Sequence, residues 1–236
     1  MTEQVYLEDS YLKELDATVT QVDGNRIELD RTIFYAMGGG QPGDTGWLQT
    51  ASGDRYRVTD TQKDKAAGSI VHLLEEDADS ISIGDSVSLG IDWERRHRHM
   101  RMHTSMHLLG SLIPVPVTGG QVGDQKSRLD FDIGEHQLDK EVLTAQMNAL
   151  IQDGHSLKLE SITDAELESN PGLVRTMSVQ PPRGVGQIRM VRIADVDFQP
   201  CGGTHVKNTA EIGEVIISKI ENKGKRNRRV HLRLVD

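Results

Sequence analysis

Met102-His103-Thr104-Ser105-Met106-His107-Leu108-Leu109-Gly110-Ser111-Leu112-Ile113-Pro114-Val115-Pro116 is the stretch where the chain changes character. Met102, Met106, Leu109 and Ile113 recur at i, i+4, i+7 and i+11, the spacing of one apolar face of an α-helix. Pro114 and Pro116 cannot continue a helix, so it stops there. His103 and His107 are four residues apart, which sets two imidazoles beside the apolar stripe with Cβ atoms about 5–6 Å apart. They face inward, close enough to share one ion, and Gly110 leaves the same face open to another segment. Taken alone, such a pair fits two partly buried structural histidines equally well.

On the N-terminal side of this helix the pattern is β. Ala17–Val22 and Arg26–Asp30 flank Asp23-Gly24, a hairpin dipeptide, and shorter alternating stretches follow at Tyr56–Thr59, Ser69–Leu74 and Ser86–Ile91. Short strands at this spacing predict a small barrel. Phe34-Tyr35-Ala36-Met37-Gly38-Gly39-Gly40-Gln41-Pro42-Gly43-Asp44-Thr45-Gly46 is too rich in glycine for a helix or ordinary strand and reads as a loop. On the C-terminal side, Asp139 is a candidate N-cap for a helix carrying Leu143, Met147, Leu150 and Ile151 on one face, ended by Gly154. Thr163 and Glu166 have capping-box spacing for a short third helix. Strands are expected at Leu157–Ser161, Gln187–Ile193, Glu214–Glu221 and Val230–Val235. The fold class is therefore α+β: a small β-barrel-like domain over 1–94, followed by an α+β domain over 95–236.

Charge divides at the same place. Residues 1–94 hold 19 acidic and 7 basic side chains, whereas residues 95–236 hold 17 and 20, so an acidic half precedes a mildly basic one within a net charge of −9. The acidic half reads equally well as a solvated surface. No apolar run is long enough to span a membrane, and the N-terminus lacks a basic-then-apolar signal pattern. With Cys201 as the single cysteine, no internal disulfide can form, so a cytoplasmic protein with no membrane and no obligate protein partner is expected.

That cysteine lies in Pro200-Cys201-Gly202-Gly203-Thr204-His205, four residues before another histidine on a turn able to bend around a ligand. One thiolate and three imidazoles form a chemically sensible tetrahedral set for one Zn2+ per chain, His103, His107, Cys201 and His205. Two distant motifs, each with two-ligand spacing, make a strong joint signal. The other histidines carry less weight: His97 and His99 point elsewhere on the helix, and surface or strand positions account for His72, His136, His155 and His231. Four protein donors leave open whether the metal is structural or catalytic. Thr104 follows His103 where a zinc peptidase would have glutamate, which speaks against that class.

His103-Thr-x-x-His107 and Cys201-Gly-Gly-Thr-His205 resemble the two metal motifs of the alanyl-tRNA editing family, which comprises the editing domain of alanyl-tRNA synthetase and the free-standing AlaX proteins. Gly120-Gln121-Val122-Gly123 with Arg128-Leu129-Asp130-Phe131-Asp132, Val206–Gly213 and Glu221–Lys225 resemble further family segments, and the loop at 34–46 resembles its glycine motif. The chain is far too short for an aminoacylation domain, so the resemblance is to the medium-length AlaX proteins. It implies a zinc-containing hydrolase that deacylates tRNA(Ala) charged with serine or glycine. His103, His107, Cys201 and His205 would be the ligands, Gln121 would position water, and Gly39, Gly40, Gln41, Thr104 and Met106 would contact the substrate. Met106 stands where threonine is frequent in the synthetases, which removes a hydroxyl that could contact the amino acid. Such an ester is already activated, so positioning and oxyanion stabilisation supply most of the catalysis required.

RNA needs positive charge. Seven basic residues lie between Lys219 and Arg233 against Glu221 alone, and Lys223, Lys225, Arg226, Arg228 and Arg229 are the expected phosphate contacts. Arg95, Arg96, Arg98 and Arg101 offer a second patch. Two other readings stay open at this point: a non-catalytic zinc-stapled RNA-binding module, and a zinc hydrolase acting on another acyl substrate.

Overall fold

The computed structural model describes residues 2–64, 68–134, 137–177, 181, 184 and 186–235, so His136 lies outside the described residues. The chain forms two compact units, Met1–Arg98 and His99–Asp236. The first contains β1 (Glu3–Gln4), β2 (Glu14–Asp23), β3 (Arg26–Leu29), β4 (Arg31–Thr32), β5 (Gly46–Thr50), β6 (Arg55–Lys63), β7 (Ile70–Leu74) and β8 (Ser86–Ile91). Six of these close into a barrel in the order β2-β3-β7-β6-β5-β8. Alternation along the strands turns Val19, Ile27, Leu48, Val58, Val87 and Leu89 into its core, while intervening polar residues face outward. The β2–β3 turn is Gly24-Asn25, with Gly24 at φ 56° and Asp23 still paired to Arg26, one place beyond the expected dipeptide.

The glycine motif serves two purposes. Gly43 and Gly46 are packing positions: a Cβ on Gly43 would strike the carbonyl of Thr61, and one on Gly46 would strike that of Gly90. Gly39 and Gly40, at φ 56° and 84°, instead form an exposed two-residue turn closed by reciprocal backbone bonds between Gly38 and Gln41. Gln41 itself is buried.

Beneath this loop the expectation from sequence needs correction. Arg96, expected in a surface basic patch, is wholly buried and forms an ion pair with Asp44 of the glycine motif. Its Nη1 donates to the carbonyl of Ser10 at 3.0 Å and its Nη2 also to that of Ile33 at 2.6 Å, and Asp44 also accepts from the Tyr35 amide at 2.7 Å. Arg95 donates to the carbonyl of Gly43, and Arg101 to that of Ile212. Helical rotation turns these neighbours to different surroundings, so the run Arg95–Arg101 is no single patch. Nor is His72 merely a strand residue. It is buried, bonded to Thr32 Oγ1 at 2.8 Å, and held neutral by burial, which pushes its pKa down to about 4 against a bond to the Ile27 carbonyl.

The division between units falls within α1 (Trp93–Leu112), which starts before the expected change of pattern and ends ahead of Pro114. The stripe of Met102, Met106, Leu109 and Ile113 is buried, but so is every residue from 102 to 110, so the helix has no exposed face over this stretch. Beyond it come β9 (Val117–Gln121), β10 (Ser127–Asp132), α2 (Lys140–Gln152), β11 (Leu157–Thr163), α3 (Asp164–Ser169), β12 (Gln187–Ile193), β13 (Asp197–Pro200), β14 (Val215–Asn222) and β15 (Asn227–Leu234). They build a four-stranded sheet, β14-β15-β10-β9, and a three-stranded one, β11-β12-β13. The cap of α2 is Asp139, accepting from the Val142 amide at 2.8 Å, and Thr163 with Glu166 forms the capping box of α3. Asn148 fastens α2 to β14 by bonding both the amide and the carbonyl of Val215. Among the described residues no helix is long and apolar enough to cross a membrane.

Candidate metal centre

Helix α1 and the turn after β13 supply the site. Four residues of separation bring His103 and His107 onto one side of α1, with ring centroids 5.4 Å apart. The His205 ring lies 4.4 Å from His103 and 4.7 Å from His107. Cys201 Sγ is 3.6 Å from His103 Nε2 and 3.3 Å from His205 Nε2, and the four donor atoms all lie within 4.8 Å of one another. The group could hold a metal ion. The Gly203 amide donates to the sulfur at 3.4 Å. Arg189 on β12 clamps the turn from outside by donating to the carbonyls of Cys201 and Gly203.

The electrostatics favour a cation. Burial pushes the Cys201 thiol up, but the neighbouring His103 and His205 rings and hydrogen bonds from His103 and His107 reverse this and hold it well below its ordinary value. Burial drives His205 down to about 3, which keeps its ring neutral and able to donate a lone pair. His107 goes the other way: burial opposes charge, yet bonds to Asp197 and Cys201 raise it to about 10. A thiolate beside a buried carboxylate calls for positive charge at this point, which a bound metal ion supplies as readily as a proton.

Two groups hold the rings from behind. Asp197 Oδ2 is 2.8 Å from His107 Nδ1, and Thr104 Oγ1 is 3.1 Å from His205 Nδ1, leaving both Nε2 atoms toward the centre. Thr104, expected to contact substrate, is buried and also accepts from the Val206 amide. Asp197 and Gln199, which contact His107, are residues that the sequence motifs do not single out. The signal for them is the spacing Asp197-x-Gln199 just ahead of Cys201, since a period of two sets Asp197 and Gln199 on one face of a strand. Gly110 also differs from expectation: nothing among the described residues approaches its Cβ direction, and its carbonyl accepts from Arg175 at 3.0 Å.

Within the second unit, the remaining residues sit outside this quartet. Met106 is buried, and its methyl group lies 3.3 Å from where a Cβ on Gly120 would be, so β9 borders the helix there. Alternation then sends the neighbouring Gln121 to the other face, where it is exposed and accepts from Arg128 Nε at 3.3 Å. Gly39, Gly40 and Gln41 belong to the first unit. Of the basic residues, Lys223, Lys225 and Arg226 are exposed, while Arg228 and Arg229 are half-buried. Register places Arg229 beside both Asp130 and Glu221, and Arg229 makes a two-pronged pair with Asp130 at 2.7 and 2.8 Å. Arg226 pairs with Asp132 and Lys223 with Glu221.

Comparison with known proteins gives a consistent result. Residues 188–231 match the family described as threonyl and alanyl tRNA synthetase second additional domain, and residues 4–95 match class II (A) tRNA synthetases. The alanyl-tRNA editing protein AlaX-M of Methanosarcina mazei is 38% identical, over 100% of this chain and 98% of that protein. Its counterpart from Saccharolobus solfataricus is 36% identical over 98% of both. An alanine–tRNA ligase of Saccharolobus islandicus is 37% identical over 93% of this chain but only 25% of the ligase.

Proposed function

The chain belongs to the alanyl-tRNA editing protein AlaX-M family, and from that premise we propose that it is a deacylase that hydrolyses the ester of tRNA(Ala) wrongly charged with serine or glycine. The observation that carries this reading is the convergence of His103, His107, Cys201 and His205 within 4.8 Å. Their chemistry fits zinc. Bond lengths of about 2.1 Å to nitrogen and 2.3 Å to sulfur give a tetrahedral N···S edge of about 3.6 Å, close to the 3.6 and 3.3 Å separations of Cys201 from His103 and His205. Sulfur with imidazole disfavours magnesium and calcium. When bound, zinc supplies Lewis acidity or a fixed charge at which the aminoacyl end can be oriented.

The surrounding residues have distinct tasks in this reading. Thr104 keeps His205 in position, and Met106 presents an apolar wall in place of a hydroxyl. Gln121, exposed at the end of β9, would leave Arg128 and turn toward the Met106 side to hold water or the substrate ester. In the first unit the Gly39-Gly40 turn, stiffened by buried Gln41, gives the RNA a backbone surface free of side chains. The test is release of amino acid from Ser-tRNA(Ala), Gly-tRNA(Ala) and Ala-tRNA(Ala), with a Gln121→Ala arm. Turnover of the serine or glycine ester above the alanine ester is expected, reduced about 100–1000-fold by Gln121→Ala. No acceleration of either non-cognate ester would leave only a zinc-stapled RNA-binding module.

For the RNA itself, the β14–β15 hairpin tip stays net positive after its pairings, through Lys225 and Arg228 together with Lys223, Arg226 and Arg229. Reversing charge at Arg226 and Arg228 is expected to weaken tRNA binding and lower the slope of log Kd against log salt by roughly 1–2. An unaltered slope would make this hairpin an ordinary solvated edge.

A further inference from the structure

We propose that Asp197, seated by Gln199, is a positioning residue of the metal centre that fixes the tautomer and strengthens the donation of His107. The inference rests on the metal site of the proposed function and extends it beyond the four ligands. Asp197 begins β13, and its side chain has no exposure. Its Oδ2 accepts from His107 Nδ1 at 2.8 Å. An imidazole whose Nδ1 carries the proton presents its lone pair at Nε2, on the side of Cys201 and His205. A carboxylate behind the ring also makes that lone pair more basic, which a neutral acceptor does less well.

The carboxylate is held in turn. Gln199 Nε2 donates to the same Oδ2 at 2.8 Å, and the Arg175 guanidinium stands 3.5 Å from Oδ1. Arg175 also donates to the Gly110 carbonyl in the last turn of α1, so it touches both the helix bearing His107 and the carboxylate behind it. The three histidines are therefore not equivalent: His205 is backed by the hydroxyl of Thr104, whereas His107 is backed by a full charge.

The experiment measures metal binding by the full chain, using zinc against a chromophoric chelator and Co2+ as a spectroscopic probe. Asp197→Asn preserves shape and one acceptor but removes the charge, and is expected to weaken zinc about 10–100-fold. Its cobalt spectrum should show shifted ligand-field bands while the sulfur-to-cobalt band persists, because Cys201 is untouched. A Cys201→Ser control should lose that sulfur band. Gln199→Ala leaves the carboxylate in place and should show a smaller loss of about threefold or more in the same direction, and it decides the matter if Asp197→Asn does not fold. Zinc affinity and cobalt bands unchanged in the variants would overturn the inference. A parent chain that binds neither metal would instead overturn the metal assignment beneath it.

Discussion

Cys201→Ala is expected to lose two to three orders of magnitude in zinc affinity, and its deacylation activity with it. Structural zinc sites bind with about 10–16 kcal/mol, so one of four donors accounts for about 3–4 kcal/mol. The sulfur is the donor least replaceable by water, being the only anionic one of the four and lying 3.6 and 3.3 Å from the His103 and His205 nitrogens. Alanine also removes the acceptor for the Gly203 amide, which loosens the turn bearing His205. Metal content after dialysis, chelator competition and release of serine from Ser-tRNA(Ala) provide the check. A variant that retains stoichiometric zinc would show that the thiolate is no ligand.

The second large effect lies in the first unit. Arg96→Met should destabilise the chain by about 3–5 kcal/mol, because it leaves a buried carboxylate without its counter-charge. Asp44 is 1% exposed, and the same substitution strips the carbonyls of Ser10 and Ile33 of a donor. Removing both charges in Arg96→Met/Asp44→Leu should recover part of the loss, since an apolar pair of fair fit is often no worse than an ion pair. Urea unfolding of the full chain reads both variants. A change below about 1 kcal/mol in the single variant would put this pair in the class of surface salt bridges.

These two sites differ in how far the sequence discloses them. The ligands are legible because chemistry restricts them: a lone cysteine and three histidines, paired at two-ligand spacings, seldom arise except around a metal ion. Helices α2 and α3 are legible because Asp139 and the Thr163–Glu166 pair act locally. The strands β9 and β10 are not: Gly119 and Gly120 hide the alternation of β9, and the Arg128–Asp132 run of β10 reads as part of a motif. The fate of a charge is harder still to read. Arg96 and Arg98 are indistinguishable as letters, and only the fold brings Asp44 to one of them. Arg229 reads as a free cation until the register lays Asp130 beside it. Asp197 and Gln199 lie within reach of strand periodicity, but β13 has only four residues, too few to announce a strand.

Because β13 carries Asp197 and Gln199 on alternate positions and Cys201 follows directly after its last residue, Pro200, the spacing in this segment is fixed to the residue. Adding or deleting one amino acid between Asp197 and Cys201 would rotate the carboxylate to the opposite side of the strand and set His107 against whatever came next. Evolution can lengthen the turn between β5 and β6, where Gly53 meets open space, but this stretch can exchange letters only in place.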